Sequence, residues 1–187
     1  MLVQPIFLFH NLVVTIKQKH ARSRIDVPRL SNIDFVEIVV PSSANAAALE
    51  LVLYNGASGK MYKSLSLADE RAFKVTTVDS GFSIYTAFVP LQNGPADGIT
   101  LIACPDGINR QVIQFLSYDG VLKAINGPAK GSESVDIKVR ETAKSSTLDS
   151  VGLTGRIRGV QVEKICRQCI TWQAKHRTEP VGSIETC

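Results

Sequence analysis

The chain has 187 residues, of which 44% are hydrophobic and 20% charged: enough apolar material for one buried core and too much for a disordered chain. A mean hydropathy of +0.08, with a single long apolar stretch at the N-terminus, excludes a multi-pass membrane protein. Four cysteines are too few for a disulfide-dense miniature scaffold, and the net charge of +4 is uneven: +4 in residues 17–29, −3 in 30–155, +5 in 156–177 and −2 in the last ten.

The opening MLVQPIFLFHNLVVTI is 16 residues long and interrupted by Gln4, His10 and Asn11. It is short for a spanning helix, which needs about 20 apolar residues. A secretory signal places its basic region before the apolar run and small residues at a cleavage site. Here Lys17, Lys19, Arg22 and Arg24 follow the run, and no such site ends it. Residues 1–32 therefore read as an extension that is either a degenerate signal or an extra first strand over Leu12–Ile16.

From Ile33 the texture becomes short and β-like. Phe35–Val40 and Ala48–Tyr54 are rich in β-branched, aliphatic and aromatic residues. In the second, Leu49, Leu51 and Leu53 share one face and Glu50, Val52 and Tyr54 the other, the period of a half-buried strand. Asn55-Gly56-Ala57-Ser58-Gly59 supplies a hairpin turn, and Met61–Leu67 returns in alternation. Further strands are expected over Phe82–Val89, Ile99–Cys104, Gln111–Tyr118 and Val135–Val139, separated by Gly, Pro, Asn and Asp clusters. Only Ala44–Ala48 has a helical texture, and it is too short to nucleate a stable helix. Turn signals about every 8–12 residues predict an all-β sandwich or barrel.

Several of these runs carry a family likeness. The run FVEIVVP, then LELVLYNGASGKMYKSLSL, resembles the opening of the lamin tail domain as it occurs in secreted bacterial proteins. Leu91-Gln92-Asn93-Gly94-Pro95-Ala96-Asp97-Gly98-Ile99 and Val112–Gly120 are similar to its middle, and Asn126–Ser132 and Ser134–Ile137 to its later turn and strand. Trp172 and the Glu179–Ile184 tail resemble its end. The resemblance runs from Ile33 to Ile184 and implies an immunoglobulin-like β-sandwich of about seven to nine strands over residues 33–187. It further implies a secreted or cell-surface, non-catalytic module that serves localisation or protein interaction. The basic KQKHARSRIDVPRL and the Cys-rich RIRGVQVEKICRQC depart from the family pattern.

Little in the chain suggests catalysis. All three histidines, His10, His20 and His176, lie outside the sandwich core, and no phosphate-binding glycine loop is present. Cys166, Cys169, His176 and Cys187 supply zinc-type ligands, but the spacing fits no standard finger. Incidental thiols or one disulfide is the expectation there, and no metal or cofactor is expected. Asp97, Asp106, Asp119 and Asp136 fall in or near turns, where each is expected to bond its own backbone rather than calcium. Contacts with a protein or surface partner are expected at Tyr54, Asn55, Asn93, Asp97, Asp106, Arg156 and Arg158, through end loops 55–60, 92–98 and 105–110 or through exposed sheet edges. The alternative is non-specific nucleic-acid association through basic segments 17–29 and 156–177, or an accessory piece of a secreted nuclease or phosphatase.

Overall fold

The computed structural model describes residues 34–138, except 79, 80, 93 and 105, and the strand segments Val13–Lys17, Arg156–Ile157 and Val160–Gln161. In chain order these hold β1 (Val13–Lys17), β2 (Phe35–Pro41), β3 (Leu49–Asn55), β4 (Lys60–Ser66), β5 (Phe73–Val78), β6 (Phe82–Phe88), β7 (Gly98–Ala103), β8 (Gln111–Ser117) and β9 (Val135–Asp136). A small antiparallel hairpin, β10 (Arg156–Ile157) with β11 (Val160–Gln161), follows.

One sheet runs β1-β2-β6-β5 and the other β4-β3-β7-β8-β9. All pairings are antiparallel except β8 with β9. Leaving β9 aside, this is the immunoglobulin connectivity, with A-B-E-D strands in one layer and C′-C-F-G in the other. The fold is an all-β sandwich. Seven of the strands fall where periodicity and turn residues put them, within a residue or two at most ends except the short β9.

Cross-strand partners share a face, so register defines the interior. Val36, Ile38 and Val40 of β2 face Leu49, Leu51 and Leu53 of β3 and Ile99, Leu101 and Ala103 of β7 across the core, joined by Leu67, Phe73, Ala87 and Leu116. Each fully buried Leu or Val there contributes about 1.5–3 kcal/mol.

Two expectations change. β3 is buried on both faces rather than one, because the β8–β9 connection, residues 118–134, folds back over the outer face of its sheet. Leu122, Ala124 and Ala129 of this flap cover Val52, Tyr54, Ile102 and Phe115, making a second, smaller core. The strand β5 is the other change, since the sequence carries no Gly, Pro or Asn turn signal ahead of it. Asp69 supplies the turn instead: its side chain accepts Arg71 N–H at 3.0 Å, and its carbonyl accepts Ala72 and Phe73 N–H. Ala46–Ala48 forms only one 3₁₀ turn, capped by the Asn45 side chain on Ala47 N–H.

Candidate binding surface

The connecting loops divide between the two ends of the sandwich. At one end the Asn55–Gly59 turn, the 89–97 crossover and the flap meet around Asp97. This side chain is 1% exposed, and its carboxylate accepts Gly56 N–H and Gly94 N–H, both at 2.7 Å. The β3–β4 hairpin turn and the crossover between the two sheets are thereby fastened to one residue. Packing is tight enough that a Cβ at Gly56 would lie 2.1 Å from the Pro95 carbonyl oxygen, so only glycine fits.

Gln92 ties the same crossover to its surroundings. Asn55 donates to its side-chain carbonyl at 2.5 Å, and the Tyr118 hydroxyl donates to its backbone carbonyl at 2.5 Å. The Tyr62 hydroxyl accepts Gln92 N–H at 3.4 Å. Burial, followed by the nearby Asp97 and Asp34 carboxylates, pushes the Tyr62 phenol up to about 12 against the pull of that hydrogen bond. This end is a fixed polar network whose groups hold one another.

The opposite end carries the β2–β3, β5–β6 and β7–β8 loops. Ser42 N–H donates to the Gly81 carbonyl at 2.9 Å, and Cys104 N–H to the Ala48 carbonyl at 2.7 Å. Beyond Cys104 the chain turns through Asp106–Arg110. The Asp106 carboxylate accepts Ile108 N–H at 2.9 Å, Asn109 N–H at 2.7 Å and the Asn109 side-chain amide at 2.5 Å. Those donors hold its carboxyl down at about 2. At the tip of this turn Ile108 is 82% exposed, the most exposed large apolar side chain among the described residues. Arg110 reaches back to Glu50 of β3 at 3.6 Å, a surface pair that contributes little to stability.

The seven expected contact residues therefore do not form one surface. Tyr54 is 0% exposed and cannot meet a partner, since the flap closes over it. Asp97 is likewise withdrawn, its carboxylate taken up by two backbone donors. Asn55 is half-buried and works inside its own turn, accepting Ser58 N–H at 2.8 Å. Asp106 is exposed, but at the other end of the molecule from Asn55 and Asp97, so loops 55–60 and 92–98 do not join 105–110. Asn93, Arg158, Cys166, Cys169, His176 and Cys187 lie outside the described residues, and Arg156 is placed only as backbone of β10. Among the described residues no three His, Cys, Asp or Glu side chains gather as a metal site.

Ile108 was legible only in part. Pro105-Asp106-Gly107 announces the turn, but an isolated isoleucine carries no signal of exposure. No protein-family model matches the chain, and neither does any curated protein or solved structure.

Proposed function

We propose that this chain is a non-catalytic binding module of the lamin-tail type, secreted or displayed at a cell surface, that engages a protein partner through the β7–β8 end. Ile108 carries the reading. It is 82% exposed on a turn that the Asp106 carboxylate fastens with three hydrogen bonds. An apolar side chain presented on a pre-ordered loop loses little freedom on binding, which favours it as a contact anchor. Val112, four residues on at the start of β8, is itself 38% exposed. Asp97, the one fully buried carboxylate among the described residues, is occupied with loop fastening rather than poised for proton transfer.

The test has two arms. Pure protein assayed against nuclease, phosphatase and esterase substrates with added divalent metal is expected to show no turnover, and metal-dependent hydrolysis would overturn the reading. A photo-crosslinker at position 108 is expected to capture a discrete protein partner at the cell surface, with capture lost in the Asp106→Ala background. Equal capture from exposed Lys130 would show that the contact is not at this loop.

A further inference from the structure

The strand β5 ends its sheet in the order β1-β2-β6-β5. Among the described residues no strand pairs with its other side, so the outward N–H and C=O groups of this strand have no ladder, Phe73 N–H alone being taken up by the Asp69 carbonyl. Sheet edges of this kind are normally blunted by charge, proline, a bulge or a cover. The equivalent edge of the second sheet is protected in that way: β4 carries Lys60 and Lys63, and its register with β3 shifts at Leu53/Tyr54. The β5 edge is not. Its sequence FKVTTV has one charge, no proline or glycine and three β-branched residues before Val78, and Val75 is 46% exposed.

We propose that two copies of this chain associate by antiparallel pairing of β5 with β5 of a second copy, joining the two four-stranded sheets into one continuous sheet. A two-fold axis perpendicular to the sheet keeps each face continuous only if paired residues have the same parity. Centring the axis on Val75 sets Val75 against its own copy, Lys74 against Thr76 and Phe73 against Thr77. No like charges oppose one another, and the exposed valine becomes a cross-strand apolar pair. A foreign strand would be accepted by the same backbone groups. Self-complementarity about Val75 is what selects a second copy. The inference is independent of the partner proposed for the β7–β8 end.

Sedimentation equilibrium of the full chain tests it. A concentration-dependent mass of two chains is expected, and Val75→Lys, which sets like charges face to face at the axis, raises the dimer dissociation constant about tenfold or more. Val75→Cys under mild oxidation is expected to give a 75–75 disulfide between chains, mapped by mass spectrometry of a non-reduced digest, while Lys63→Cys on the β4 edge gives none at position 63. The cross-link keeps the proposal falsifiable if Val75→Lys does not fold. A monomer at every concentration overturns it, as does a dimer that Val75→Lys leaves intact. Monomers whose β5 amides resist hydrogen exchange would show the edge filled by the chain itself and would equally overturn it.

Discussion

The hydroxyl of Tyr54 accepts the backbone N–H of Ala129 at 3.0 Å and donates to the Asn126 carbonyl at 3.2 Å, so a side chain near the C-terminal end of β3 grips the flap from beneath. Asn126 completes the clasp by accepting Met61 N–H at 2.8 Å through its side chain. The ring of Tyr54 meanwhile packs on Phe115, with centroids 5.3 Å apart, in the second core. Apolar body and polar tip thus do separate work in one residue.

Removing only the tip isolates that second role. Tyr54→Phe keeps the packing but leaves the buried Ala129 N–H without its acceptor, a loss of about 1–3 kcal/mol. Urea unfolding measures the total, and amide exchange at Ala129 is expected to accelerate more than exchange in β7. Unchanged stability would mean that the hydroxyl grips nothing that matters.

Two glycines of the flap separate strain from collision. Gly127 and Gly131 both have positive φ, +69° and +87°, so alanine at either is strained by about 1–2 kcal/mol. A Cβ at Gly127 would also sit 2.7 Å from the Tyr54 hydroxyl, whereas one at Gly131 meets nothing within 4 Å. Gly127→Ala is expected to lower the melting temperature clearly more than Gly131→Ala. Equal losses would remove Tyr54 from the explanation.

Asp97 fastens two loops at the same end. An asparagine there keeps one acceptor but turns an N–H₂ toward either Gly56 N–H or Gly94 N–H, so Asp97→Asn is expected to cost about 2–3 kcal/mol. Exchange at Gly56 and Gly94 should rise together, because one carboxylate serves both. Protection retained at both amides would contradict the assignment.

A buried hydroxyl in β7 offers a change in the other direction. Thr100 is 0% exposed, and among the described residues its Oγ1 has no hydrogen-bond partner. Its neighbours across the ladders are Val52 and Phe115, both apolar. Thr100→Val keeps the β-branch and removes the unpaired oxygen, so a gain of about 1 kcal/mol in denaturant unfolding is expected. A loss instead would reveal a partner for that oxygen.

The sheet pattern was readable because period-two alternation and turn residues are local signals, and they place β2, β3, β4, β6, β7 and β8. What alternation could not convey is contact at long range. The outer face of β3 reads as Glu50, Val52, Tyr54, a mixed face, and only the flap about 75 residues later makes Val52 and Tyr54 interior. Asp97 reads as a turn aspartate, which is half of its work: Gly94 lies in its own loop, but Gly56 is 41 residues away. β5 went unread because its turn is built by Asp69 from ordinary residues. The candidate contact at Ile108 depends on exposure, which a single apolar residue does not advertise.

Alkaline unfolding should carry the signature of Tyr62. Its folded phenol is raised to about 12 from an ordinary value of 10.0, chiefly by burial, so the folded state holds this proton more tightly than the unfolded chain. The associated stability is fully present below about pH 10 and is lost as pH rises toward 12, since the unfolded state then releases the proton first. Burial raises the Tyr54 phenol in the same direction, so the two losses overlap. Tyr62→Phe is expected to show a shallower fall in unfolding free energy between pH 10 and 12 than the parent chain. Acid behaves oppositely at Asp106, whose carboxyl lies near 2 rather than 3.8 because Asn109 and Ile108 donate to it. Its contribution is present above about pH 4 and lost as pH falls through 2, with the carboxyl resonance titrating in that window and moving back toward 3.8 in Asn109→Ala. Parallel alkaline curves for parent and Tyr62→Phe would mean that the phenol ionises in the folded state as readily as in the unfolded one.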